Sequence, residues 1–447
     1  MTWDLDFPVG SWTQDGYTGK VTFTTGYDTN GFDCLVITGN CALISGTWSH
    51  KPNSGTTATY RLNVSVGGDM TIGTNAAIKA VGLGYTQLYT AFGVTSIARG
   101  EGGSHGGRGM PADVATMRSI DPYGCYFAPE DPGNGGKGGG TLPGGGAVKL
   151  TIAGKFTFNG LIDANSVPGA SYNGSGGSVY ILASSISGAG RITADSAYSG
   201  ISGSGGRIAV KLTGAGSDFS SYDILNLAQA ISQKTASGAS GTVYAETTAD
   251  TPRHGWLIAK GNGTFPTSVA RYTTPFTHEY TNLWFRRITI TNKTHLTVEA
   301  GQKLDISATT LDVTTATAKD NGIYVADGGT LVLNKTEHLV NRPLKFAGAA
   351  TLDCDNLRLV PGGDLWAYTG AVTCRGALSI TNGGIVTVDA GLIVTGSVAV
   401  LNGGVITTTG PATAPTHPLE LTIGGDLDVA AGGFITATGK GYAAGNG

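Results

Sequence analysis

Glycine doublets recur at nearly constant intervals in the C-terminal half of the sequence. Each doublet is followed by a short strand-like run, such as IVTV or VITT. Because glycine adopts the left-handed backbone conformations that tight turns need, the doublets indicate sharp corners between strands. A period of about 20 residues is typical of stacked β-coils, in which each coil buries its apolar face against the next. The doublets are Gly362-Gly363, Gly383-Gly384, Gly403-Gly404 and Gly424-Gly425.

A longer repeat connects the two ends of the sequence. Residues 62–85 and 419–442 align without a gap, 357 positions apart, and share the run Gly-Gly-Asp. Their apolar positions also coincide at alternate residues, which is the spacing of a half-buried strand. We therefore expect the two segments to fold alike. We also expect the chain to be part of a longer array whose large unit spans about 360 residues.

Glycine clusters stand directly before alternating strands in the middle of the sequence. Examples are GGGAVKLTI (144–152), GSGGSVYI (174–181) and GSGGRIAV (203–210), and the pattern Gly-x-Ile-x-Ala recurs at 160–164 and 190–194. Glycine supplies 73 of 447 residues, roughly twice its usual share. Since 40% of the chain is hydrophobic, this richness does not indicate disorder. Glycine would allow sharp corners and a close approach of neighbouring coils.

The combination of GSGGSVYI, GAGRITAD and GSGGRIAV resembles the glycine-rich parallel β-helix repeats of very large bacterial surface and secreted proteins. Those proteins are adhesin-like or similar to autotransporter passengers. The resemblance covers residues 60–215 and 419–447, and it extends to the remainder only through the strand rhythm. It implies attachment or scaffolding at the cell surface. A similar texture is found in phage tail adhesins.

The predicted fold class is all-β, a parallel, right-handed β-helix (β-solenoid) with long loop inserts. We expect five parts along the chain. They are N-terminal coils (1–60), a glycine-rich β-helix (61–250) with a long insert at 86–146, an aromatic-rich junction (251–290), regular coils (291–418) and the start of a further repeat unit (419–447).

Charge and hydropathy exclude some classes of partner. The net charge of −3 gives no reason to expect nucleic acid, and no apolar run is long enough for a membrane-spanning helix. The N-terminal sequence lacks the basic and apolar regions of a secretion signal. Either a signal has been removed and the protein is extracellular or on the cell surface, or it is made in the cytoplasm, as virion tail proteins are.

The sequence predicts no cofactor. Lys137 is followed by Gly138 rather than by the Ser or Thr of a phosphate loop. The histidines are scattered, which argues against a transition-metal site, and the Gly-Gly-Asp turns lack the dense acidic residues of calcium-binding repeats, so that calcium stays open but unsupported. Cys354 and Cys374 lie one period apart, which fits either a ladder of buried thiols or a disulfide.

Candidate glycan contacts come from an aromatic stretch, 251–295, and from the long insert. Aromatic faces beside Arg and Glu suit sugar binding, but aromatic residues that cap a junction between two coil segments explain the stretch as well. His105, which is flanked by glycine, is expected to be exposed on a loop, with sugar contact as a second role. The candidate glycan contacts are Trp256, Tyr272, Tyr280, Trp284, Arg286 and His105.

The predicted function is a structural or adhesive module that holds loops for attachment to a surface or a glycan. The predicted partners are a polysaccharide or cell-surface glycan and further copies of the repeat. One alternative is a polysaccharide lyase or glycoside hydrolase on the same fold, and another is a phage tail adhesin. An enzyme needs a base near neutralised substrate carboxylates, or two suitably spaced carboxylic acids. We interpret Glu130 and Asp131 as a solvated turn, so the sequence favours a non-enzyme.

Overall fold

The computed structural model describes most of the chain as two compact units, 1–277 and 278–447. The boundary lies inside the segment that the sequence predicts as a junction. The described residues are 1–3, 7–24, 26, 34–86, 102–110, 121–136, 142–169, 172–197, 201–233, 238–263, 273–277, 280–314, 321–348, 350–410 and 418–441.

The regular structure in the described residues of the first unit consists of strands and one helix of a single turn. Its long strands alternate β-branched or aromatic residues with small or polar ones, so that one face is buried and the other is partly exposed. The elements are β1 (Thr2–Trp3), β2 (Trp12–Gln14), β3 (Lys20–Phe23), β4 (Leu35–Ile37), β5 (Cys41–His50), β6 (Leu62–Val66), β7 (Met70–Lys79), β8 (Ala147–Phe158), β9 (Leu161–Asp163), β10 (Ser178–Ser187), β11 (Arg191–Thr193), β12 (Arg207–Leu212), α1 (Ile224–Leu227), β13 (Ala228–Gln229), β14 (Thr242–Glu246), β15 (Trp256–Lys260) and β16 (Thr273–Pro275).

Most strands in this unit pair in parallel with the strand two places along in sequence. The partners are about 30 residues apart, except that β8 and β9 pair with β6 and β7, roughly 85 residues before them. One series runs through β6, β8, β10, β12 and β14, and a second runs through β7, β9, β11 and β13. The antiparallel pair of β14 with β15 closes the first series. The apolar residues that point between the two series form one continuous core that includes Leu150, Phe156, Ile181 and Val210.

The glycine clusters before β8, β10, β12 and β14 pack backbone against backbone beside these strands, an arrangement called the glycine lattice below. Gly177, Gly206 and Gly241 each donate their N–H to an alanine carbonyl, at Ala164, Ala194 and Ala230, over 2.7–2.8 Å. A Cβ added to Gly176 would lie 1.9 Å from the Ala194 oxygen, and the corresponding contacts at Gly145 and Gly205 are 1.8 and 2.1 Å. The glycines are therefore required because neighbouring backbones touch. Two of the three acceptors, Ala164 and Ala194, are the alanines of the Gly-x-Ile-x-Ala motifs.

The second unit contains short strands of similar length. They are β17 (Asn282–Trp284), β18 (Arg287–Thr291), β19 (His295–Val298), β20 (Lys303–Asp305), β21 (Thr310–Val313), β22 (Gly322–Val325), β23 (Thr330–Val332), β24 (Glu337–Val340), β25 (Pro343–Ala347), β26 (Thr351–Leu352), β27 (Asn356–Leu359), β28 (Asp364–Thr369), β29 (Ala371–Cys374), β30 (Ala377–Ile380), β31 (Ile385–Val388), β32 (Gly391–Val394), β33 (Val398–Val400), β34 (Val405–Thr407), β35 (Leu421–Ile423), β36 (Leu427–Val429) and β37 (Phe434–Thr436).

Every third strand of the second unit belongs to the same row, and pairing within each row is parallel. The first row consists of β17, β20 and β23 and then β26, β29, β32 and β35. The second row consists of β18 and β21 and then β24, β27, β30, β33 and β36. The third row is continuous from β19 through β37. One passage through the three rows is called a coil below.

Three of the four predicted corner doublets lie at equivalent corners, and the fourth does not. Gly362, Gly383 and Gly403 have φ of 89°, 76° and 76°, and Gly403 donates its N–H to Gly432, whose φ is 83°. The next member of this column is therefore Gly432-Gly433. The doublet Gly424-Gly425 instead stacks on residues 395–397 at a different corner, because 29 residues (432 minus 403) rather than about 20 separate Gly403 from the next glycine of its column.

The two segments 357 positions apart fold alike in two of their three strands, as the sequence predicts. The equivalence extends upstream of the aligned segments, because the strands before them are also paired identically. The matching pairs are Leu35 with Val64 and Leu392 with Leu421, and then Cys41 with Met70 and Val398 with Leu427. In the third strand the register differs by one residue, because β5 has a bulge between Leu43 and Ser45.

The two cysteines one period apart do not form a disulfide. Cys354 and Cys374 are free and buried, and Cys374 pairs in register with Leu352 rather than with Cys354. Burial raises the pKa of the Cys374 thiol to about 11, so it stays protonated and packs as a small apolar group.

Candidate binding groove in the second unit

The second row of strands is interrupted between β21 and β24. No pairing joins these two strands, although both are fully within the described part of the chain, and β24 begins a separate five-stranded sheet. Thr310 donates its N–H to the Arg286 carbonyl in the direction of β18. Since successive residues of a strand point their backbone groups to opposite sides, the backbone of Leu311 faces the interruption. A strand edge is thus open there.

A groove of about 430 Å³ occupies this interruption, a size suited to a small ligand. Its buried apolar floor is formed by Ile306, Val340 and Leu344, each at most 4% exposed. The polar groups lie around this floor. The lining residues are Ile306, Ser307, Thr309, Thr310, Leu311, Asp312, Asn334, Glu337, His338, Leu339, Val340, Asn341, Arg342 and Leu344.

Two carboxylates and two nitrogen-bearing side chains give the groove its chemistry. Asp312 accepts a hydrogen bond from Arg287 Nε at 2.7 Å, and Glu337 accepts one from Asn356 at 3.3 Å. Arg342 donates through Nη1 to the Asn341 carbonyl at 2.8 Å, while its Nε is buried without a hydrogen-bond partner. An unpaired buried donor costs free energy, so a ligand oxygen at this position would be stabilising.

His338 contributes a neutral ring. Its Nδ1 accepts a hydrogen bond from the Asn334 N–H at 3.2 Å, and burial lowers the pKa of the ring below its ordinary value. A neutral imidazole that accepts at Nδ1 carries its proton on Nε2. The groove therefore offers carboxylate acceptors, donors on Arg and His, and a small apolar floor. This combination suits a ligand with several hydroxyl groups.

The structure does not bring all the sequence-predicted glycan contacts into one site. Trp256 lies in β15 of the first unit and packs partly against its core. Trp284, 41% exposed in β17, and Arg286, which is exposed just before β18, belong to the second unit, as does the half-buried Tyr280. The Arg286 carbonyl accepts from Thr310, which lines the groove, so this candidate adjoins it. Tyr272 lies outside the described residues.

The prediction that His105 is exposed is wrong. Its side chain is fully buried in the first unit, where Nδ1 is 2.9 Å from the Gly176 carbonyl oxygen and the ring packs on Tyr123 at 4.7 Å. Burial, together with the Arg207 charge, lowers its pKa to about 3. Glycine neighbours indicate a close approach of backbones here rather than a mobile loop. The histidine therefore belongs to the glycine lattice.

Glu130 and Asp131 do not form a solvated turn. Glu130 bridges Arg61 at 3.1 Å and Lys149 at 2.7 Å, and Asp131 accepts a hydrogen bond from the Ser178 hydroxyl at its backbone carbonyl. Both residues belong to the described insert segment 121–136, which covers the outer side of β8, β10 and β12. The Glu130 carboxylate and the Asp131 backbone carbonyl fasten this segment, so the structure gives both residues a packing role.

The groove residues Asp312, Glu337, His338 and Arg342 were not among the sequence-predicted contacts. The strands TLDV and EHLV alternate as ordinary half-buried strands, and nothing in either pattern shows that they fail to pair. A weak signal exists in the unusual density of charged residues at 335–342, which contrasts with a charge content of 13% in the whole chain.

Comparisons with known proteins returned no relatives. No protein family matches the sequence, and neither characterised proteins nor solved structures gave a match. Among the described residues, no helix is long and apolar enough to cross a membrane. In the same part of the chain, no three His, Cys, Asp or Glu side chains lie close enough together to hold a metal ion.

Proposed function

We propose that the protein is a structural and adhesive module, a parallel β-solenoid of a large surface, secreted or fibre protein, which binds glycans in the groove between β21 and β24. The observation that carries the proposal is the parallel pairing of every third strand in the second unit. The first unit supports it through its own parallel series and glycine lattice. The resemblance to adhesin-like repeats points in the same direction.

The groove supports the adhesive part of the proposal. It combines hydroxyl-binding side chains with an apolar floor. The two strands that flank it are held in place by their pairing with β18 and β27, on the sides away from the groove. Rigid strands hold such side chains in place at little entropic cost when a ligand binds. An oligosaccharide matches this chemistry through its many hydroxyls and its apolar ring faces.

Binding of the purified chain to an array of oligosaccharides tests the adhesive function. We expect at least one glycan to bind, and expect Arg342→Gln and Asp312→Asn to weaken its affinity by about 10-fold or more, because each removes a charged hydrogen-bonding group. Lys303→Gln is the matched control, since Lys303 is exposed in the first row, outside the groove. Equal affinity of the groove variants and the control would contradict the proposal.

Cysteine cross-linking tests the scaffold independently. Ser379 and Ala399 are in-register partners in adjacent strands of the second row and both are partly exposed, so cysteines at these positions should cross-link within one molecule, and failure to do so would contradict the stacking of coils. The enzymatic alternative is tested by incubation with uronate polysaccharides and by assay for new reducing ends. If the unmodified chain cleaved such a substrate and Asp312→Asn abolished the cleavage, an enzymatic function would replace the adhesive proposal.

A further inference from the structure

The positive charge of Arg342 is not balanced within the groove. Among the described residues that line the groove, Arg342 is the only lysine or arginine. Both groove carboxylates have a cationic partner outside the lining. Asp312 is paired with Arg287 Nε at 2.7 Å. Glu337 lies 3.9 Å from Arg358 Nη1. Arg342 itself forms no ion pair with any described residue, so an anionic ligand group matches it better than a neutral one.

The guanidinium group of Arg342 has one edge free. Nη1 donates to the Asn341 carbonyl at 2.8 Å, and it is the only guanidinium nitrogen with a hydrogen bond to a described residue. Nε is buried without a hydrogen-bond partner. Nε and Nη2 lie side by side on one edge of the planar group, where a carboxylate accepts two parallel hydrogen bonds and a hydroxyl group accepts only one. A carboxylate is therefore the group that completes this edge.

The side chains around Arg342 favour a carboxylate that belongs to a sugar. His338, whose Nδ1 accepts from the Asn334 N–H, carries its proton on Nε2 and adds a second donor. Asp312 and Glu337 bring carboxylate oxygens that accept hydrogen bonds from ligand hydroxyl groups. A carboxylic acid without hydroxyl groups would be repelled by these two carboxylates and would gain no hydrogen bond from them. An acidic sugar makes use of all four side chains.

We infer that the groove selects glycans that contain a carboxylate-bearing sugar, a uronic or a sialic acid, whose carboxylate binds to the Nε and Nη2 edge of Arg342. The inference rests on the proposed glycan binding and names the class of ligand. Arg342 lies between β24 and β25, two strands that pair with β27 and β28. Its backbone is therefore held in place before the ligand arrives, which lowers the entropic cost of binding.

Titration calorimetry with matched pairs of oligosaccharides tests the inference on the whole chain. Each pair consists of an acidic oligosaccharide, trigalacturonate or sialyllactose, and the same oligosaccharide with its carboxylates reduced to primary alcohols. For at least one pair we expect the acidic form to bind about 10-fold or more tightly, because reduction removes both the charge and the second hydrogen bond. The two pairs together show whether the groove takes a uronic or a sialic acid.

Substitution of Arg342 tests the position of the carboxylate. In Arg342→Gln the acidic form should lose about 10-fold in affinity and bind like the reduced form, because the charge and the fork are both gone. Arg342→Lys should keep only part of the preference, since an ammonium group has no planar fork. Lys303→Gln is the matched control and should keep the preference of the parent chain, because Lys303 lies outside the groove. Amide exchange in β24 and β25 shows whether each Arg342 variant keeps its fold.

Equal affinity of the unmodified chain for the acidic and the reduced forms would overturn the inference, and this comparison does not depend on the folding of any variant. A preference for the acidic forms that survives in folded Arg342→Gln would overturn it as well. The outcomes also separate the two proposals. A neutral glycan that binds without such a preference and is weakened by Asp312→Asn refutes only the ligand class, whereas failure of every glycan to bind refutes the adhesive function too.

Discussion

Substitution of Gly176 by alanine tests whether the glycine lattice requires bare backbones. The added Cβ would lie 1.9 Å from the Ala194 oxygen and 2.7 Å from the Gly206 nitrogen, against an ordinary contact of 3.4 Å or more. The Ala194 carbonyl would have to move by about 1.5 Å (3.4 minus 1.9), away from the Gly206 N–H that it accepts at 2.7 Å. Overpacking costs about 1–3 kcal/mol and an unsatisfied buried group a similar amount, so we expect a loss of about 4 kcal/mol.

Hydrogen exchange is the suitable assay, because a chain with two units need not unfold in one step. A loss of about 4 kcal/mol accelerates exchange through global opening by about 10³-fold in β10 and β12. Gly10→Ala is the matched control, since a Cβ there meets nothing within 4 Å, and it should be neutral or slightly stabilising. If the two variants exchanged within threefold of each other in these strands, the argument for backbone contact would be wrong.

Three further predictions concern buried polar groups and thiols. Because burial lowers the His105 pKa to about 3, the folded protein keeps this ring neutral, whereas the unfolded chain binds a proton there below about pH 6.5, so stability falls as the pH falls. Unfolding titrations between pH 6.5 and 4 should show about 3 kcal/mol less pH dependence in His105→Gln. Asp389 is buried and accepts hydrogen bonds from Trp366 Nε1 at 2.7 Å and from threonine neighbours. Asp389→Ala should therefore destabilise the second unit by about 3 kcal/mol, as measured by hydrogen exchange, and a loss below about 1 kcal/mol would contradict this. Since Cys354 and Cys374 are free, the denatured chain should give five reactive thiols without reductant, and a smaller number would indicate a disulfide.

The parallel pairing could be predicted from the sequence because both of its physical causes are visible there. Alternating apolar residues specify a strand with one buried face, and glycine at fixed intervals specifies where the strand must turn. The alignment of 62–85 with 419–442 also predicts that the two segments pair alike with the strands before them, and the strand pairs confirm this. The site could not be predicted in the same way, because the groove depends on two strands that fail to pair.

The error over His105 has a different cause. A histidine in a glycine-rich segment is expected to be exposed on a loop, since glycine is flexible in isolation. Gly103 and Gly106 instead lie against other backbones, where a Cβ would be 2.5 Å and 2.0 Å from carbonyl oxygens. A glycine-rich sequence is compatible both with a flexible exposed loop and with tight backbone packing. Only the positions of the neighbouring backbones in the folded protein distinguish the two cases.

Glycine thus has two distinct roles in this chain, and asparagine should distinguish them. Gly383 has φ of 76° with its nearest atoms at 3.4 and 3.7 Å, so conformation rather than space requires glycine there. Asparagine tolerates the left-handed region, and Gly383→Asn should cost less than about 1 kcal/mol, whereas the β-branched Gly383→Val should cost more. At Gly176 both side chains should be equally harmful, because the obstacle is the Ala194 carbonyl. Hydrogen exchange in the strands next to each substituted position decides between these causes, and equal losses for Gly383→Asn and Gly176→Asn would show that a single cause operates at both positions.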